Sequence, residues 1–251
     1  MELGYSFSDR FSIDGFFSFV RQEREIINNS GEENFTFSQG IGDAFFLFKY
    51  KLLATDNNNT TVHTALGVKA PFGASDLRNG DSPVQLSADL QPGSGAWDGI
   101  AWAQLTHVLA FRPSMSFMAT GAYSYKGINN NYFNGAQSYQ FGQEFFVVAG
   151  VSDRLIFGKV LIDPAVTLRY RRVRPDQVDE LELPSTGGQW VFINPGLSYW
   201  LRDDMSLSAG IELPLFADIM GTQVTSTYRI NVGIYYRLSL KTSKSIQPLN
   251  F

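Results

Sequence analysis

From residue 224 to residue 240 the chain reads VTSTYRINVGIYYRLSL, and apolar and polar positions alternate there with a period of two. Val224, Tyr228, Ile230, Val232, Ile234, Tyr236, Leu238 and Leu240 share one parity, with Ser226 the one polar member. Thr225, Thr227, Arg229, Asn231, Gly233, Tyr235, Arg237 and Ser239 share the other. Strands of soluble domains usually run about 5–6 residues and rarely pass about 10. A stretch this long, apolar on one face and charged on the other, predicts a tilted membrane strand, since about 9–11 residues cross a bilayer.

The pattern recurs along the whole chain. It predicts further strands at residues 3–8, 11–24, 42–54, 62–72, 97–111, 115–127, 139–151, 159–172, 189–201 and 205–216. In 42–54, for example, Ala44, Phe46, Phe48, Tyr50 and Leu52 oppose Asp43, Lys49 and Lys51. The alternation is weakest in 97–111, where Trp102 and Val108 share a face with Gln104 and Thr106. Short turns such as Asp9-Arg10, Arg112-Pro113-Ser114 and Arg202-Asp203-Asp204 take turns with long polar loops at 28–34, 73–95, 129–131 and 173–187. Membrane barrels show that asymmetry, with short periplasmic turns and longer outer loops. Tyr50, Tyr123, Tyr125, Trp200 and Tyr236 near strand ends suit aromatic girdles. The fold class read from the pattern is therefore all-β, an antiparallel transmembrane β-barrel. A soluble lipocalin-like barrel or sandwich would have to seat Asp14, Lys49, Glu144, Arg169 and Arg229 in a dry interior, at high cost.

Counting gives about eleven strands, whereas a closed single-chain bacterial barrel normally has an even number with both ends periplasmic. The expectation is a barrel over residues 1–240 and a tail over 241–251, with a twelfth, first strand and a signal peptide lying before this sequence. The alternative is closure by the tail or a frayed end. Phe251 is aromatic, as barrel assembly signals favour, but it lies eleven positions beyond Leu240, with Pro248 in between.

Composition refines this picture without overturning it. The mean hydropathy of −0.10 is what an averaged two-faced wall gives, and no run of about 18 apolar residues predicts a membrane helix. With no cysteine there is no disulfide framework and no thiolate chemistry. A net charge of −4 without basic blocks argues against a nucleic-acid partner.

The polar parity carries Asp14, Asp43, Lys49, Lys51, Lys69, Lys126, Glu144, Lys159, Asp163, Arg169, Arg171, Glu212, Arg229 and Arg237. Of these, Lys49, Lys69, Glu144, Asp163, Arg169, Arg171, Glu212 and Arg229 are the candidates for contact with a solute in the lumen. Arg169, Arg171 and Arg229 stand out, because guanidinium forks match carboxylates and phosphates. The same residues read equally as interior salt bridges that brace a narrow barrel. The loop containing Gln91, Gly93, Gly95, Trp97 and Asp98 is the candidate constriction: its glycines allow sharp turns, and Trp97 either packs into the pore mouth or anchors at the interface. His63 and His107 are the only histidines. They offer neither a metal-ligand spacing nor a neighbouring Ser-Asn pair of the phospholipase kind, and no nucleotide motif is present, so no cofactor is expected.

Gly40-Ile41-Gly42-Asp43 with Lys49-Tyr50, Ala65–Gly73 (ALGVKAPFG) and Leu90–Asp98 (LQPGSGAWD) form three motifs. They resemble the "GxGD…KY", "GLKLPTG" and "QPGSGSWD" segments of the outer-membrane barrels known as meta-pathway phenol-degradation proteins. Ala70 and Phe72 depart from the usual Leu and Thr of the second motif. The resemblance implies a barrel that passes small, hydrophobic or otherwise, molecules across the outer membrane. The function expected is thus an outer-membrane channel with small-molecule solutes, membrane lipid and the barrel-assembly machinery as partners. The competing readings are a structural or adhesive barrel with a closed lumen and, behind it, an outer-membrane enzyme.

Overall fold

The computed structural model describes residues 1–27, 33–55, 57, 59–79, 84–223 and 225–238. Residues 28–32 of the expected loop 28–34, turn residues 56 and 58, loop residues 80–83, Val224, and everything from residue 239 to Phe251 lie outside the described residues; Glu33 and Asn34 of that loop begin a strand instead. Antiparallel strands make up most of the regular structure in the described residues. They are β1 (Glu2–Ser6), β2 (Phe11–Phe16), β3 (Phe19–Ile27), β4 (Glu33–Ile41), β5 (Ala44–Ala54), β6 (Thr60–Ala70), β7 (Asp98–Val108), β8 (Met115–Tyr125) and β9 (Ile128–Tyr132). The second half contributes β10 (Gln137–Gln140), β11 (Glu144–Asp153), β12 (Leu155–Phe157), β13 (Val160–Val173), β14 (Gln177–Val178), β15 (Leu181–Glu182), β16 (Gly188–Arg202), β17 (Met205–Ile219) and β18 (Arg229–Tyr236).

The main wall follows the order β1-β2-β5-β6-β7-β8-β11-β13-β16-β17-β18, with β12 paired to β13. Ser152 faces Ala165 and Leu155 faces Ile162, so β11 and β12 share one unbroken register against β13 and act as one strand. The wall therefore contains the eleven strands that the alternation predicts. Its edges, β1 and β18, form no ladder with each other, and the sheet is open. Ten successive antiparallel pairings leave the two edges running in the same direction.

Register fixes which side chains share a face. Phe48, Leu66, Ala101, Tyr123 and Phe145 are cross-strand neighbours in one outward row. One position over, Lys49, Ala65, Trp102, Ala122, Phe146, Arg171 and Trp190 form an inward row. Outward apolar groups are bare, with Leu66 72% and Val232 80% exposed, and no large side chain among the described residues is fully buried. An apolar surface this extensive is stable only against lipid.

Three differences from the sequence pattern have physical causes. First, residues 11–24 divide: Phe16 faces Phe45, but Phe19 faces Ile41, so the register steps by one and β3–β4 leaves the wall as a separate hairpin. Second, β9, β14 and β15 lie where the pattern predicts polar loops, and with β10, which takes up the start of the predicted strand 139–151, they form a small separate sheet. Their strands are too short for a legible alternation; Tyr132 and Tyr139 pack there with Ala88, Phe141, Val178 and Leu183. Third, among the described residues 225–238 of the long alternating stretch, β18 covers the eight from Arg229 to Tyr236. After β17 the chain is drawn sideways: Thr222 N–H donates to Ser185 Oγ (3.2 Å) and Gln223 Nε2 donates to Gly187 O (2.7 Å). Alternation reports which faces are wet, not whether a ladder partner is in reach.

A charged network ties the 71–97 loop to the rim. Lys69 Nζ lies 3.2 Å from Asp43 Oδ2 and 2.9 Å from Asp98 Oδ2, and Lys126 Nζ lies 3.2 Å from Asp98 Oδ2. Ser94 donates both N–H and Oγ–H to Asp43 Oδ2, each at 2.9 Å, and accepts from Lys69. The backbone N–H groups of Gly73 and Gly127 donate to Asp43 Oδ1 and Asp98 Oδ1, both at 3.1 Å. Two ammonium groups offset two carboxylates, and the remaining lone pairs are largely satisfied, which is what a buried ionic cluster requires. The four side chains stand at the adjoining ends of β5, β6, β7 and β8. Gly73 and Gly93 touch backbone to backbone; a Cβ on Gly93 would fall 2.3 Å from Gly73 O.

Lys69→Ala leaves two carboxylates facing each other without their shared cation, and a loss of about 3–5 kcal/mol is expected in urea unfolding of the micelle-embedded protein. Gly93→Ala is expected to detach the loop and quicken its cleavage in limited proteolysis, with the wall intact. Asp89 joins the loop to Arg24 of β3. Partial burial opposes its ionisation, but hydrogen bonds from Ser87 and Arg24 outweigh burial and hold the carboxyl below its ordinary value. That link contributes fully above the unfolded carboxylate range and is lost as pH falls through the lower folded value. Asp89→Asn should therefore flatten the acid dependence of loop proteolysis.

Candidate functional site

The lumen face of β11, β13, β16, β17 and β18 gathers five of the sequence candidates at one level. Strand pairing sets Arg169 beside Phe192 and Arg171 beside Trp190 across β13 and β16. The guanidinium carbons lie over those rings, 4.8 Å from the Phe192 centroid and 5.3 Å from the Trp190 centroid. Stacking leaves the edges of the guanidinium forks free to bond in the plane. Arg171 uses its edge on Glu144, with Nε to Oε1 at 2.7 Å and Nη2 to Oε2 at 3.4 Å. Arg169 Nη2 donates to Glu212 Oε1 at 2.8 Å, and Arg229 Nη1 lies 3.3 Å from the same oxygen.

The pairing is incomplete. Three guanidiniums face two carboxylates, and Glu212 divides one oxygen between two of them. Arg169 Nε is buried without an acceptor among the described residues. The Arg229 side chain is 49% exposed and is the most open of the three. Chemically, this level can exchange a protein carboxylate for a solute oxyanion at small cost in hydrogen bonds. Beside it, toward the short-turn end, the wall becomes small: Gly196, Gly210, Gly233, Ser198 and Ser208 border an open recess.

The other candidates lie elsewhere. Asp163 is neutralised locally by Arg154, at 2.9 and 2.8 Å, and accepts from Trp200 Nε1 at 2.7 Å. Lys49 pairs with Asp14 and lies 5.1 Å from the Trp102 ring centroid. Lys69 belongs to the rim network and is nearly excluded from solvent. Lys159 stands in the turn between β12 and β13. In the loop, Gln91 is a staple: its Oε1 accepts from Leu77 N–H (2.9 Å), and its Nε2 donates to Leu77 O and Leu86 O (both 3.0 Å). Asp98 anchors to Lys69 and Lys126, and Gly95 has the left-handed φ of 70° beside Asn129. Trp97 is 63% exposed. His107 meets Thr60 Oγ1 through Nδ1 at 2.8 Å on the outward face. Among the described residues no cluster of metal-ligating side chains assembles.

Sequence reading passed over Trp190 and Phe192, although the signal was available. In 189–201 the outward parity carries Val191, Ile193, Leu197 and Tyr199, so aromatics of the opposite parity must face the lumen. The loop partners Ser94 and Gly73 left no periodic trace.

No curated protein matches the sequence. The fold is similar to the crystal structure of an outer membrane channel from Pseudomonas putida F1, with a TM-score of 0.66 at 14% identity, over 94% of this chain and 80% of that one. At that identity the likeness is one of architecture, a transmembrane antiparallel β-barrel. The family model described as "Putative MetA-pathway of phenol degradation" matches residues 10–215. The chain, matched over most of its length, belongs to that family.

Proposed function

We propose that this protein is an outer-membrane channel for the passive passage of small molecules, and that its arginine level favours anionic solutes. The observation that carries the reading is the unequal pairing in the lumen: Arg169, Arg171 and Arg229 against Glu144 and Glu212, with one guanidinium nitrogen lacking an acceptor. A wall whose only task is bracing needs balanced charge, whereas a surplus cation ring repels cations and admits anions. Aromatic faces behind two of the guanidiniums also accept apolar bodies attached to an anionic group. The P. putida neighbour is a channel, which supports the general role. The short turns face the periplasm in this reading, and β3–β4 and the outer sheet face the exterior.

The ion pairs themselves favour a second reading, in which Arg171–Glu144 and Arg169–Glu212 are struts in a closed lumen. Planar-bilayer recording of the full protein separates the two. The channel reading expects steady conductance with anions preferred. Arg169→Ala with Arg171→Ala turns a level of three cations and two anions, net +1, into one cation and two anions, net −1. The anion-to-cation permeability ratio, read from reversal potentials, should then fall by roughly twofold or more. Absence of both conductance and solute flux overturns the channel and leaves the strut.

A further inference from the structure

We infer a second anion station in the lumen, at the short-turn end, where Arg10, Lys51 and His63 hold a small oxyanion of the phosphate type. The inference rests on the channel reading for its route, and on local geometry alone for its chemistry. A recess of about 360 Å³ opens there, and the hydroxyls of Ser6, Ser8 and Ser12 line it beside the three basic groups.

Strand register builds this recess. Ser6 faces Ser12 and Ser12 faces Lys49 across β1, β2 and β5, while Lys51 faces His63 and His63 faces Gln104 across β5, β6 and β7. Arg10 O accepts from Lys51 N–H at 2.8 Å, which fixes the β1–β2 turn over the lysine. Lys49, also in the wall, is already paired with Asp14. Neither Lys51 nor Arg10 has an ion-pair partner among the described residues, and His63 Nδ1 is buried with no hydrogen-bond partner. Asp9 is the one carboxylate in the lining, against Arg10, Lys49 and Lys51. Like charges held this close repel, and the cost is recovered when an anion enters. A guanidinium fork, an ammonium group, an imidazole and three hydroxyls supply donors from several directions, as a tetrahedral oxyanion requires.

The site is distinct from the arginine level. It is built from β1, β2, β5 and β6, whereas that level is built from β11, β13, β16, β17 and β18. An anion released from Arg229 would thus meet a second cationic surface before leaving the lumen.

The presence of only two histidines makes a direct test available. The full protein, labelled at histidine and held in micelles, is titrated with inorganic phosphate at fixed pH and ionic strength, with chloride as the matched control. The His63 ring signals are expected to shift saturably while those of His107, on the outward face, stay in place. Lys51→Gln should weaken phosphate binding about five- to tenfold, and Lys51→Arg should retain it. Unmoved His63 signals, equal movement of both histidines, or parent-like affinity in Lys51→Gln would each overturn the inference. Saturable binding without bilayer conductance would instead reject the channel reading and leave this site standing. Conductance without any His63 response would reject the site alone.

Discussion

Lipid offers no hydrogen bonds, so every backbone amide that crosses it must find its partner within the protein. The ladders of the eleven-strand wall meet that demand everywhere except along the open edges of β1 and β18, and the remaining features follow from it. Once neighbouring strands are locked in register, successive side chains must point to opposite sides. The outward set then has to be apolar, and the inward set is released from any need to form a core. That release explains why the interior tolerates arginines, glutamates and glycines at adjoining positions. It also leaves the one cluster of buried apolar groups outside the wall strands, where Ala88 of the 71–97 loop packs with Tyr132 and Tyr139 of the small outer sheet.

Charge serves two different ends in this molecule, and accounting for each carboxylate separates them. At the rim, Asp43 is hydrogen-bonded by Ser94 and Gly73 and paired with Lys69, and Asp98 accepts from Gly127 N–H and lies between the Lys69 and Lys126 ammonium groups. That cluster is neutral, shielded and mechanical: it holds one loop against four strand ends. Deeper in the wall, Glu212 serves two guanidiniums and satisfies neither completely. Arg229, half exposed and sharing its carboxylate oxygen with Arg169, can exchange partners with water, whereas the Lys69 ammonium hidden at the rim cannot. Burial and stoichiometry together, rather than the mere presence of charge, distinguish the rim brace from the lumen level proposed to engage solutes.

The wall was readable because its signal is repetitive: a parity error in one strand would have contradicted its neighbours. The lumen candidates followed from the same parity, and Arg169, Arg171, Glu144, Glu212 and Arg229 are brought together by register. Three kinds of feature were hidden. Short polar strands such as β9 carry too few residues for a period to emerge. The one-residue register step between β2 and β3 depends on pairing across the hairpin, which no single stretch records. The role of Gln91 as a staple depends on carbonyls fourteen and five residues away, set by the path of the loop.

The common direction of β1 and β18 sets a rule of count for the whole architecture. Bending the sheet further, however strongly, brings together two edges that match only as a parallel pair, with evenly spaced and slanted bonds unlike those of every other ladder in the wall. A seam of the same antiparallel kind admits only an odd number of intervening strands. The open sheet thus has a handed gap, selective for the direction of whatever fills it.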